Sequence, residues 1–111
     1  MKIDKKEALG QLEAGKEPFV SLFRHGSLRV ELYKPDKVDL QQPHVQDEVY
    51  VIVSGQGRFY LEGEYTTFAP ADVLFVPAGK VHRFEDFSED FVTWVIFYGP
   101  DGGESPGRKV L

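Results

Sequence analysis

Gln42, His44 and Glu48 fall at even-numbered positions of one short segment, and His82 follows a Pro77-x-Gly79 turn far along the chain. Together they offer two imidazoles, one carboxylate and one side-chain amide. Neutral nitrogen donors beside an anionic oxygen donor suit Zn(II), Fe(II), Mn(II) or Ni(II), and the donor set does not choose among these ions. Two imidazoles and a carboxylate leave positions on an ion open, enough for a bidentate carboxylate, a keto acid or a diol. The ion would then serve as Lewis acid for a substrate oxygen, or bind water or dioxygen. Gln42 adds a weak carbonyl ligand, hydrogen bonds a bound molecule, or is a surface amide. Each residue also has a plainer role, as a core or surface histidine or, for Glu48 beside Asp47, as a solvated strand charge. Of the three histidines in the chain only His25, next to Gly26, lies outside these two segments, and it reads as a turn residue.

The elements that hold these side chains must be strands. Successive strand residues alternate faces, so Gln42, His44 and Glu48 point to one side if their segment is extended, and Pro43 favours an extended Gln42. His82 shares its parity with Phe84, an apolar residue suited to an interior. Imidazoles from two separate strands then converge in an apolar cavity. Tyr50, on the same strand face as Glu48, and Tyr60, one strand over, are candidate catalytic residues that would donate a proton or orient the substrate. Phe59, Trp94 and Phe97 read as core.

Along the chain, residues 4 to 14 have Ala8, Leu9 and Leu12 near helical spacing, and Gly15 stands where a short helix would stop. Strands are expected at 20–23, 27–33, 49–54, 58–62, 65–68, 73–76, 81–84 and 91–98, separated by Gly and Pro turns. The three from 49 to 68, linked by Gly55-Gln56-Gly57 and Gly63-Glu64, read as a meander. Such a series argues for an all-β, antiparallel sandwich or barrel, and the order of elements favours a jelly roll. Both parities of 91–98 are apolar, so both faces need cover, either from a second subunit or from the amino-terminal segment. Residues 99–111 are rich in Gly, Pro and charge and read as a mobile tail.

At 111 residues the chain suits one domain, 1–111. Nine Phe, five Tyr and one Trp supply a core and favour strands. A net charge of -5 without clustered cations disfavours nucleic acid and anionic membrane as partners. The absence of cysteine excludes disulfides, thiolate ligands and cysteine nucleophiles. No stretch approaches the roughly 20 apolar residues of a membrane span, and the start has no signal-peptide core, so a cytoplasmic protein is expected.

The segment Gln42-x-His44-x3-Glu48-x6-Gly55 resembles the first motif of the cupin superfamily, with Gln42 where a histidine usually stands. Ala71-x5-Pro77-x-Gly79-x2-His82-x3-Asp86 is similar to the second, with Ala71 and Asp86 in place of glycine and asparagine. The resemblance spans about residues 40 to 98. It implies a small jelly-roll β-barrel, often a homodimer, holding a divalent metal on His44, Glu48 and His82, with Gln42 at the fourth ligand position. The leading functional expectation is a metal-dependent enzyme of dioxygenase, isomerase or lyase type acting on a small polar molecule. The rival is a non-catalytic module that binds a small ligand or metal. A third reading, a metal-free isomerase with His82 as base, lacks an identifiable acid partner.

Overall fold

The computed structural model describes residues 1–105. Asp4 opens α1 (Lys5–Ala14) in an extended conformation, its carboxylate accepting the Glu7 amide at 3.0 Å, and Gly15 closes it. That N-cap satisfies a donor the helix leaves free and is worth about 1 kcal/mol. Eight strands follow: β1 (Phe19–His25), β2 (Leu28–Tyr33), β3 (Asp47–Ser54), β4 (Gly57–Leu61), β5 (Glu64–Phe68), β6 (Val73–Val76), β7 (His82–Glu85) and β8 (Val92–Tyr98). They form a five-stranded sheet in the order β1-β2-β8-β3-β6 and a three-stranded sheet in the order β5-β4-β7, antiparallel throughout. The architecture is the expected all-β jelly roll. Among the described residues no helix is long and apolar enough to cross a membrane.

Between the sheets lies an aromatic core that includes Tyr50, Phe59, Phe68, Phe84, Phe91 and Phe97. It fills because inward positions on the facing strands alternate with outward ones. Two tight hairpins set the register. His25 pairs with Leu28 across Gly26-Ser27, and Leu61 pairs with Glu64 across Glu62-Gly63, where both turn residues have positive φ. Two central residues with positive φ match the twist of the flanking strands.

The expected meander is not formed. β4 and β5 are a hairpin, but β3 lies in the other sheet between β8 and β6. Apolar residues on both parities of β3 suit a central strand with two neighbours. At Gly55, whose φ is +88°, a Cβ would sit 2.5 Å from the Phe91 Cα, so the chain turns directly over Phe91 and leaves the sheet there.

Cover for the outer face of β8 comes from the amino-terminal segment over one half of the sheet. Ala8 and Leu12 of α1 join Leu32 and Val92 in a second cluster, with Leu9, Val53 and Trp94 packed against it. On the other half Val73 and Phe75 of edge strand β6 are exposed. The start of the segment expected to be a mobile tail is tied down: the Gly102 amide donates to the Val45 carbonyl at 2.7 Å, and the Glu104 amide to the Asp47 carboxylate at 2.8 Å. The rest of that segment, 106–111, lies outside the described residues.

Candidate metal centre

Glu48 sits on β3 opposite Phe97 of β8 and Val76 of β6, and its side chain is fully buried. His82 opens β7, carried in from the other sheet. Its Nδ1 lies 2.9 Å from the Lys80 carbonyl, which makes Nδ1 the donor and leaves Nε2 free to accept. That Nε2 is 3.2 Å from Glu48 Oε1, and His44 Nε2 is 3.8 Å from Glu48 Oε2. His44 precedes β3 and is fixed through its carbonyl, which accepts the Gly79 amide at 2.7 Å. One donor atom from each of His44, Glu48 and His82 lies within 4.8 Å of the others. Three side chains distant in sequence therefore converge.

Their polar atoms are poorly satisfied. Both Glu48 oxygens and His82 Nε2 are buried without an aligned hydrogen bond, although His82 and Glu48 are near enough to attract as charges. A buried polar atom without a partner costs about 1–3 kcal/mol, so three of them facing one point require an explanation. A divalent cation at that point fits: it accepts lone pairs from all three and suits the two-imidazole, one-carboxylate donor set. Burial lowers the His82 pKa, but Glu48 and the Lys80 carbonyl outweigh it and leave the imidazole above its usual value. For His44 burial dominates, and despite Glu48 its pKa is pushed down.

The side-chain amide at this centre is Gln41, not Gln42. Gln42 is exposed. Residues 34–46 form no strand, so alternation of faces does not extend back from Asp47, and the parity that favours Gln42 fails there. Gln41 is oriented by Asp39, a buried carboxylate that accepts the Gln41 Nε2 at 2.9 Å, the Gln41 amide at 3.1 Å, the Phe84 amide at 2.8 Å and the Tyr33 hydroxyl at 2.6 Å. With Nε2 turned to Asp39, the Gln41 Oε1 faces the centre, 3.3 Å from His44 Nε2 and 3.0 Å from the Tyr50 hydroxyl, which donates to it. Asp39 and Gln41 escape the sequence reading. The one available signal is an acid placed between apolar Val38 and Leu40 in a segment without strand pattern.

The two tyrosines separate. Tyr50 is buried beside His82, with ring centroids 6.2 Å apart, and burial followed by the nearby Glu48 charge raises its pKa well above normal. It is a neutral phenol at the centre. Tyr60 faces away: its strand neighbour Phe59 points inward at His82, so Tyr60 lies on the outer face, under the Arg83 guanidinium at 4.1 Å and against Tyr65. The sequence-based role for Tyr60 at the site is thereby corrected. A cleft of about 1240 Å³, lined by Arg29, Glu31, Tyr33, Gln41, His44 and Phe97 among others, opens onto His44.

Comparison with known proteins agrees with this picture. The family model for the cupin domain matches residues 29–98. An uncharacterized protein of Streptomyces coelicolor is 36% identical over 102 residues, covering 90% of this chain and 95% of that protein. Acireductone dioxygenase of Leishmania infantum is 35% identical over 86 residues, which cover 63% of this chain but only 25% of that enzyme. Among solved structures, a cupin superfamily protein from Desulfitobacterium hafniense superposes with a TM-score of 0.61 at 22% identity, covering 72% of this chain and 74% of that one. DMSP lyase DddQ from Ruegeria pomeroyi gives 0.63 at 24% identity, covering 73% and 46%. At these identities the solved structures bear on the fold alone.

Proposed function

We propose, from the premise that this chain belongs to the cupin domain family, that it is a metal-dependent enzyme acting on a small polar molecule. The observation that carries the reading is the set of three buried atoms without an aligned hydrogen bond, Oε1 and Oε2 of Glu48 and Nε2 of His82, facing His44. The naming of one relative as a dioxygenase supports catalysis as the use of such a centre.

His44, Glu48 and His82 would hold the ion. A bound divalent ion supplies Lewis acidity to a ligand oxygen, or a site for water or dioxygen. The other steps belong to the chain. Gln41 presents a neutral carbonyl oxygen held in one orientation by Asp39. Tyr50 keeps a proton on its hydroxyl within reach of that carbonyl, where it can orient a ligand or return a proton. Aromatic walls from Phe59, Phe84 and Phe97 exclude water behind the centre, and the cleft at His44 admits the substrate. The exposed Val73 and Phe75 on β6 favour a homodimer through the uncovered half of the five-stranded sheet.

The test is elemental analysis of untagged protein purified without chelator, beside His82→Ala, followed by turnover assays on keto acids, diketones and uronates with oxygen consumption monitored. Stoichiometric Fe, Mn, Ni or Zn in the wild type, lost in the variant, together with turnover, is the expected result. Equal metal in both proteins overturns the site. Metal without turnover overturns the enzyme in favour of a binding module.

A further inference from the structure

We propose that Arg29 anchors an anion in the cleft, and that the ligand of the centre is a small hydroxy or oxo acid carrying a second carboxylate. This deepens the metal-centre reading and rests on it.

The sheet register puts Arg29 in line with the centre. Arg29 on β2 pairs with Phe97 on β8, which pairs with Glu48 on β3, so the three side chains share one row on the inner face. Strands spaced about 4.8 Å apart place the Arg29 and Glu48 backbones roughly 10 Å from each other. Phe97 fills the interval. The Arg29 guanidinium carbon lies 4.4 Å from the Phe97 ring centroid, and the His44 ring meets the same Phe97 at 4.8 Å, edge to face. Arg29 and His44 have side chains equally exposed, each 31%, and both line the cleft.

The guanidinium has charge company on one side and no aligned hydrogen bond. Its Nε is buried 3.1 Å from Glu31 Oε2, an ion pair without hydrogen-bond alignment, and Glu31 is itself held by the Ser21 hydroxyl at 2.9 Å. Among the described residues the terminal nitrogens of Arg29 make no hydrogen bond, and they are not among the buried atoms. A planar fork stacked on an aromatic ring, with one carboxylate beside its Nε, is preorganised to take a second carboxylate on its terminal nitrogens. A ligand bound through oxygens at His44 and paired with Arg29 must reach across one phenyl ring. An acid of about four or five carbons with a carboxylate at its far end spans that interval.

The test compares 2-hydroxyglutarate with 2-hydroxyvalerate, which has the same chain length and a methyl group in place of the far carboxylate. Calorimetric titrations use the full chain carrying the ion that elemental analysis finds. The diacid is expected to bind about 10- to 100-fold tighter, the range of a charge-assisted pair. Arg29→Gln, and Arg29→Met, which keeps the stem packed on Phe97, should bring the diacid to the affinity of the monoacid. Monoacid binding, metal content and melting temperature should stay unchanged. Equal affinities in the wild type, or a preference that survives both substitutions, overturns the anchor alone. A wild type without stoichiometric ion overturns the centre and the anchor with it.

Discussion

Glu48→Gln separates what the centre does for the ion from what it does to the fold. The substitution preserves shape, removes the anionic donor and should abolish stoichiometric metal binding. In metal-free protein its effect on stability has the opposite sign. Glu48 is wholly buried, and neither oxygen has an aligned hydrogen bond. Burial of a carboxylate costs several kcal/mol even after relaxation, and a charge pair recovers only part of that. An ill-satisfied amide at the same place costs about 1–3 kcal/mol. Removing one member of a buried pair is damaging when it strands a charge, but here His82 can release its proton while its Nδ1 keeps the Lys80 carbonyl. The metal-free variant should therefore gain about 1–3 kcal/mol, or roughly 4–8 °C in melting temperature per kcal/mol.

The pH dependence of this gain follows from His82. Its folded pKa is raised, so its contribution to wild-type stability is fully present below about 6.5, the unfolded value, and is lost as pH climbs through the folded value. The variant, without Glu48, lacks most of that contribution. The margin by which Glu48→Gln exceeds the wild type should consequently widen from pH 6 to pH 8. Calorimetric melts in EDTA at both pH values measure it. A metal-free variant less stable than the wild type by more than about 1 kcal/mol at both pH values would refute the argument that this carboxylate is an uncompensated burden awaiting a cation.

Exchange of Gln41 for Ala should weaken metal or ligand binding about tenfold, as loss of one oriented carbonyl, whereas Gln42→Ala should change neither by more than twofold; calorimetric titration of both variants decides between the two amides. Ion binding should release protons and tighten as pH rises through the raised His82 value, because Nε2 must be bare to ligate; titrations in buffers of different ionisation enthalpy count the protons. Gly55→Ala should cost about 3 kcal/mol or more in chemical denaturation, since its Cβ would overlap the Phe91 backbone at a φ of +88°. Ala71→Gly should instead gain about 1 kcal/mol in the same assay, because the exposed Ala71 holds a φ of +73°.

The parts legible in the sequence are those where a local rule acts alone. Gly15 stops the helix, alternation and turn residues mark the strands, and the spacing of His44, Glu48 and His82 brings the three together. Legibility ends where a choice depends on a distant partner. Gly55-Gln56-Gly57 and Gly63-Glu64 look alike as links, yet only the second marks a hairpin, whose turn falls at Glu62-Gly63, because Phe91, over thirty residues on, occupies the space beneath Gly55. Gln41 and Gln42 are adjacent and identical, and what selects between them is Asp39, whose own burial is set by the Phe84 amide and the Tyr33 hydroxyl on two other strands. Tyr60 fails as a site residue for the reverse reason. It lies on a regular strand where alternation does hold, and with Phe59 turned toward His82 that rule sends Tyr60 outward to Arg83. A parity argument is therefore valid inside β3, β4 and β7, and carries no information across residues 34–46, the segment that shapes the mouth of the centre.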